Sequence, residues 1–140
     1  MTGLFPALEA RFNGDFQLVS AGRKLYQGYG GKPYQSGPHT EVTLRRTDSL
    51  DGFDADIEVY RAEFRCFTQS INAEAAERWC ERMTARFDDG QLESSQFTVC
   101  GMEIVDQPKP FVDEMKLYGA SCLVQIVLQR TTNQPLVRAL

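Results

Sequence analysis

Four cysteines, one histidine, one glycine-rich run and one acidic run are the features of this 140-residue chain whose residue types carry chemistry. Cys66, Cys80, Cys100 and Cys122 are separated by 14, 20 and 22 residues. Zinc and dithiol redox motifs need close-spaced ligands of the CxxC kind, and no such pair exists here. Each cysteine instead sits in an apolar pattern and reads as a buried, reduced thiol, which points to a cytosolic origin. His39 stands beside Pro38 and reads as a surface loop residue; no Cys–His or Ser–His–Asp set can be assembled around it except at arbitrary spacing. The run Gly28-Tyr29-Gly30-Gly31-Lys32-Pro33 has the composition of a phosphate loop. It lacks the GxxxxGK[ST] spacing, and Pro33 occupies the place of the magnesium-binding hydroxyl. Asp48, Asp51, Asp54, Asp56 and Glu58 lack the order of a calcium loop and read as a solvated turn. The expectation is no catalytic residue, no metal and no cofactor, hence a protein that is not an enzyme.

What remains is contact chemistry. Tyr26, Tyr29 and Tyr34 alternate with glycine, Lys24 and Lys32 between residues 22 and 39. Tyrosine and basic residues on a mouldable backbone suit a protein interface. They also suit base stacking, but the chain has a net charge of −4 and a pI near 5.0, whereas binders of nucleic-acid backbones are basic. The charge is divided: residues 1–50 hold six basic and four acidic side chains, and residues 51–140 hold nine and fifteen. Opposite-sign parts of one chain favour head-to-tail contact between copies. No apolar stretch reaches the length of a membrane span, and the opening residues MTGLFPALEARF lack the form of a secretory signal.

The size and the 42% hydrophobic content fit one globular domain, 1–140. Residues 4–12 carry apolar side chains at helical spacing, with Pro6 in the first turn and Asn13-Gly14 as a stop. Residues 15–20 read as a brief strand and 22–39 as a long loop or a loose hairpin. Residues 40–47 alternate as a half-buried strand, 48–56 form a turn, and 57–69 are the clearest strand, with Tyr60, Ala62, Phe64 and Cys66 on one face. The clearest helix covers 73–88: Asn72 is its N-cap, Ile71 its staple residue and Gly90 its stop. Its stripe is Ala76, Trp79, Cys80, Met83 and Phe87, with Glu74 and Arg78 paired on the outer face. Residues 96–105 form a strand interrupted at Gly101, and 106–114 a proline-containing loop. Residues 116–131 form a final strand with Tyr118, Ala120, Cys122, Val124, Ile126 and Leu128 on one face. A tail, 132–140, follows. The order α-(β)-β-β-α-β-β predicts an α+β fold, a mostly antiparallel sheet with one main helix on a face. Its core is expected to contain Tyr60, Phe64, Trp79, Met83, Phe87, Val124, Ile126 and Leu128. Strands of this length outrun the helix, so their ends need another surface to cover them.

The run Tyr60-Arg61-Ala62-Glu63-Phe64-Arg65-Cys66-Phe67, the helix with Ala75, Ala76, Trp79 and Met83, the strand 97–105 and the close Tyr118-Gly119-Ala120-Ser121-Cys122-Leu123-Val124-Gln125-Ile126-Val127-Leu128 together resemble one family. It is that of the tail-terminator (tail-completion) proteins of long-tailed bacteriophages and their counterparts in gene transfer agents. The resemblance implies a small α+β virion protein, made in the bacterial host cytoplasm, whose copies form a hexameric ring. That ring caps the tail tube, stops its polymerisation and joins it to the head-side connector. Its partners would be further copies of itself, the tail tube protein and the connector, without a membrane and without sequence-specific nucleic-acid contact, although DNA may traverse the lumen. Exposure and composition nominate Tyr26, Tyr29, Lys32, Tyr34, Arg45, Arg46 and, in the loop at 108–111, Phe111 as contact residues. Two other readings stand beside this one: a different neck, connector or tube-like protein, and a small peptide- or ligand-binding module using a sheet edge.

Overall fold

A computed structural model of the chain describes residues 3–19, 24–28, 39–49, 57–68, 73–88, 91–112 and 118–130. The elements are α1 (Leu4–Asn13), α2 (Phe16–Val19), β1 (Leu25–Gln27), β2 (His39–Ser49), β3 (Ile57–Phe67), α3 (Ala73–Phe87), β4 (Phe97–Val112) and β5 (Tyr118–Arg130). The five strands make one sheet in the order β1-β2-β3-β5-β4. All pairings are antiparallel except β1 with β2. The fold is α+β. Because β5 is antiparallel to both β3 and β4, those two strands run the same way with β5 inserted between them and α3 as the crossover, a split β-α-β unit.

Periodicity decides which face of the sheet meets the helices. On β5, Ala120, Cys122, Val124, Ile126 and Leu128 are buried, while Ser121, Leu123, Gln125 and Val127 between them are half-buried. On β3, Tyr60, Ala62, Phe64 and Cys66 share the core face. From above, α3 brings Cys80, Met83 and Phe87 onto these strands, with Phe87 against Phe64 at 4.8 Å between ring centroids. The amphipathic α1 adds Leu4, Ala7, Leu8 and Phe12 to the same cluster. Trp79 is only partly buried, at the margin of this core, where its indole N–H donates to Thr40 Oγ1 at 2.7 Å. The pair on the outer face of α3 is present, with Arg78 Nη1 3.2 Å from Glu74 Oε1. Asn72, Ile71 and Gly90, along with the side chain of Ala76, lie outside the described residues.

Several expectations need correction. Residues 16–19 are helical, not a strand: Asp15 Oδ1 accepts from the backbone N–H of Gln17 at 2.9 Å and of Leu18 at 3.3 Å, an N-cap that turns the chain. Within the expected loop 22–39, residues 25–27 form β1 on the edge of β2, and His39 already belongs to β2. Three strands precede the main helix, the first at residues 25–27 and not at 15–20. The proline-containing segment 106–112 is not a loop but the second half of β4. Proline cannot donate to a ladder, yet β4 is an edge strand, and its register shifts between Ile104 and Asp106 and again between Asp106 and Lys109. Pro108 and Pro110 are thus accommodated. β2 runs on to Ser49, two residues into the expected turn, and residues 50–56 lie outside the described residues. Cys100 is exposed, whereas Cys66, Cys80 and Cys122 are buried.

The helical cover is short. α3 has 15 residues and is about 22 Å long. β4 has 16 residues, about 50 Å of strand. The ends of β2, β3, β4 and β5 extend past the helix, and the opposite face of the sheet carries no helix among the described residues.

The close approach of strands fixes one position on β5. A Cβ at Gly119 would collide with the Phe111 ring and lie 2.8 Å from the backbone oxygen of Cys66. Gly119→Ala is expected to lower stability by about 1–3 kcal/mol. Gly101→Ala, where a Cβ meets nothing within 4 Å, should leave it within about 0.5 kcal/mol. Urea unfolding of both variants checks the contrast.

Candidate functional site

The helix-free face is built by residues 39, 41, 43 and 45 of β2 and the odd-numbered residues of β3, and cross-strand register arranges it in rows. The row at one end is aromatic. Tyr26 on β1 meets His39 on β2 edge-on at 5.7 Å between centroids, and His39 stacks on Phe67 of β3 at 4.8 Å. Phe67 meets Phe111 of β4 at 5.4 Å in a T-shaped contact that passes over Gly119 of β5. Four rings thereby span the whole sheet.

The next row holds charges out of water. Glu41 has no exposed side-chain surface and His39 about 1%. His39 Nε2 lies 2.8 Å from Glu41 Oε2, and Arg65 Nη2 lies 3.0 Å from Glu41 Oε1. A buried carboxylate is tolerable only when donors and an opposite charge compensate its lost hydration, and both are present. Gly28 leaves the space, since a Cβ there would be 2.6 Å from Glu41 Oε1. Arg65 also lies over the Phe67 ring, 5.4 Å from its centroid. His39 is therefore not a surface loop residue: β1 on the edge of β2 and the stacked Phe67 enclose it.

Further along, the face opens. Thr43, Arg45, Arg61, Glu63 and Leu123 line a depression of about 230 Å3. Arg45 and Arg61 sit directly opposite each other on β2 and β3, both exposed. Like charges in that position repel, and neither has an ion-pair partner among the described residues. The row continues through Gln125 of β5 to Glu103 of β4.

At the far end of the core face, beyond α3, a second carboxylate gathers cations. Glu58 Oε2 lies 3.1 Å from Arg130 Nε and 3.7 Å from Arg46 Nη1, and Tyr60 donates its hydroxyl to Glu58 Oε1 at 2.9 Å. Burial acts to raise the Glu58 pKa, but the hydrogen bonds from Arg130 and Tyr60 and the two positive charges outweigh it and hold the group below its ordinary value. Burial and the Glu58 contact push the Tyr60 phenol up. On the opposite flank, Asp15 joins α2 to α3 through Arg82 at 3.0 Å, and Arg11 and Arg86 each donate to the other's backbone carbonyl at the ends of α1 and α3.

The contact residues expected from the sequence fall in different places. Arg45 is on the open face. Arg46 points to the other side and pairs with Glu58. Tyr26 and Phe111 are half-buried at the two ends of the aromatic row, in strands and not in loops. Tyr29, Lys32 and Tyr34 lie outside the described residues, as do Asp51, Asp54 and Asp56 of the acidic run. Glu58 of that run is buried and paired, not solvated. Glu41 and Arg65 are not among the residues the sequence nominates; the available signal is a lone histidine two positions from a glutamate in a strand, which places both on one face. Phe16, 81% exposed, and Val105 and Val112 on β4 are further apolar side chains facing solvent.

The Cys122 thiol is pushed up by its hydrogen bond with Cys80 and by burial; at Cys80 the contact with Cys122 pulls down, but the contact with Cys66 and burial win. Such thiols are poor nucleophiles. Among the described residues no three His, Cys, Asp or Glu side chains are placed to hold a metal ion, and no helix is long and apolar enough to cross a membrane.

No protein-family model matches the chain, and no curated protein sequence does. Among solved structures, it is similar to a chain in the virion of a native gene transfer agent particle, with a TM-score of 0.74 at 14% identity, over 90% of this chain and 94% of that one. At that identity the likeness shows the fold.

The depressed Glu58 pKa carries a pH dependence. A group held below its ordinary value stabilises the fold above that value, and the contribution disappears as pH falls through the folded-state pKa. Thermal midpoints of the native chain and Glu58→Gln, measured from pH 7 to pH 2.5, should differ at neutral pH and converge on the acid side of about pH 4.5.

Proposed function

We propose that this chain is a structural virion protein, a tail terminator whose copies form a closed ring on the end of a tail tube. The observation that carries the proposal is the likeness of nearly the whole fold to a chain of a gene transfer agent virion. The family resemblance of the segment from Tyr60 to Arg130 points the same way. The geometry suits assembly: an open sheet face, strands that outrun their helix and exposed Val105 and Val112 on an edge strand are surfaces that neighbours can cover. Three buried thiols and carboxylates engaged in ion pairs suit a protein that works by shape and charge.

In this reading the protein acts by complementarity. One rim of the ring copies the docking surface of the tube and seats on it. The other rim offers no site for a further tube ring and instead meets the head-side connector. Six copies are the expected number, and the virion is the expected location.

Mass photometry and negative-stain images of the purified chain, alone and mixed with the tail tube protein of its particle, test the proposal. Rings of uniform copy number on tube ends, and tubes that cease to lengthen after the chain is added, are the expected result. A chain that stays monomeric in both settings and leaves tube growth unchanged rules the proposal out.

A further inference from the structure

The two edges of the sheet match each other level by level. β1 covers β2 only from Thr40 to Val42, with Gly28 N–H adding one bond to Val42. Among the described residues, the stretch 44–49 of β2 has no strand on its outer side. Register places that stretch level with residues 99–104 of β4: Leu44, Ala62, Val124 and Ile104 share one row, and Ser49, Glu58, Leu128 and Val99 another. The covered stretch of β2 is level with the proline half of β4, since Thr40, Cys66, Ala120 and Pro110 also share a row. One edge is therefore blocked by a strand where the other is blocked by proline, and both are open at the same height.

Charge follows the same levels. The row Arg45, Arg61, Gln125, Glu103 is positive at the β2 edge and negative at the β4 edge. Asp106, in the row of Thr43, Glu63 and Leu123, adds to the negative edge. All four charged groups, Arg45, Arg61, Glu103 and Asp106, are exposed, and none has an ion pair among the described residues.

We infer that the β2 edge of one copy docks on the β4 edge of the next, with Arg45 and Arg61 facing Glu103 and Asp106. The inference deepens the ring reading and rests on it, because it names the surfaces through which the copies meet. A ring requires two different patches joined by a pure rotation with no rise. Patches at the same level along the strands meet under rotation about an axis parallel to them, whereas patches at different levels generate a helix. Within one copy β2 and β4 run in opposite directions, so this rotation also sets the two edges antiparallel. The docking releases the Arg45–Arg61 repulsion that the isolated chain leaves uncompensated.

Charge reversal in the full-length chain tests the inference by light scattering coupled to size exclusion, with and without the tail tube protein. Arg45→Glu with Arg61→Glu, and separately Glu103→Arg with Asp106→Arg, should each raise the concentration needed for assembly at least tenfold. Circular dichroism melts of both should stay close to that of the native chain, since the four side chains are exposed; Arg45→Glu and Glu103→Arg alone serve if a double variant fails to fold. An equimolar mixture of the two variants should assemble again, in rings of even copy number with the variants alternating. Variants that assemble as readily as the native chain, or a mixture that stays monomeric, overturn the inference while leaving the ring reading intact. A native chain that never assembles overturns both.

Discussion

A sheet has two faces and two edges, and among the described residues of this chain the helices cover one face. Every other property follows from that imbalance. α3 lays Cys80, Met83 and Phe87 on the strands, α1 closes one flank, and the apolar content is largely spent there. The second face must reach a low free energy without a helical layer. It does so at one end by stacking rings across all five strands and by sinking Glu41 between His39 and Arg65. At the other end it does not: Arg45 and Arg61 stand side by side over an open depression.

The two carboxylates at the strand ends illustrate different uses of the same chemistry. Glu58 lies at a rim, where Arg130 and Arg46 reach it from partly solvated positions, so attraction exceeds the loss of hydration and its pKa falls. Glu41 is completely enclosed, with hydration replaced by a guanidinium and an imidazole. A buried pair of that kind adds little net stability relative to apolar packing, yet removing one member leaves a charge without compensation. A slip of one residue in the register of β2 against β3 would put Glu41 and Arg65 on opposite faces of the sheet.

Much of this was legible in the sequence. The stripe of α3 and the alternation from Tyr60 to Cys66 and from Ala120 to Leu128 name their own buried faces, because a period of 3.6 or 2 depends only on local geometry. The failures have physical causes. Residues 15–20 have the apolar content of a strand, but one aspartate side chain bonded to two backbone N–H groups turns residues 16–19 into a helix. Pro108 and Pro110 argue against a strand everywhere except on an edge, and edge position is a property of topology. His39 looks like a loop residue because its flank is rich in glycine; that it is enclosed depends on a three-residue parallel strand too short to announce itself. Trp79, at a core position by spacing, sits at the margin because its N–H needs Thr40. On the open face, Arg45 is a property of the sequence, but its level with Glu103 exists only once four strands are in register.

The strand order has a consequence for how the chain comes to be folded. β5 lies between β3 and β4, yet every other described element precedes it in the chain. During synthesis β3 and β4 are made first and cannot contact each other through a ladder, since the strand that joins them is still missing. Until it arrives, α3 has only part of its floor, and the thiols of Cys66 and Cys80 face a gap where Cys122 will be. Two ladders, the floor of α3 and the thiol cluster are therefore complete only once β5 is in place, and so are the surfaces available to other copies.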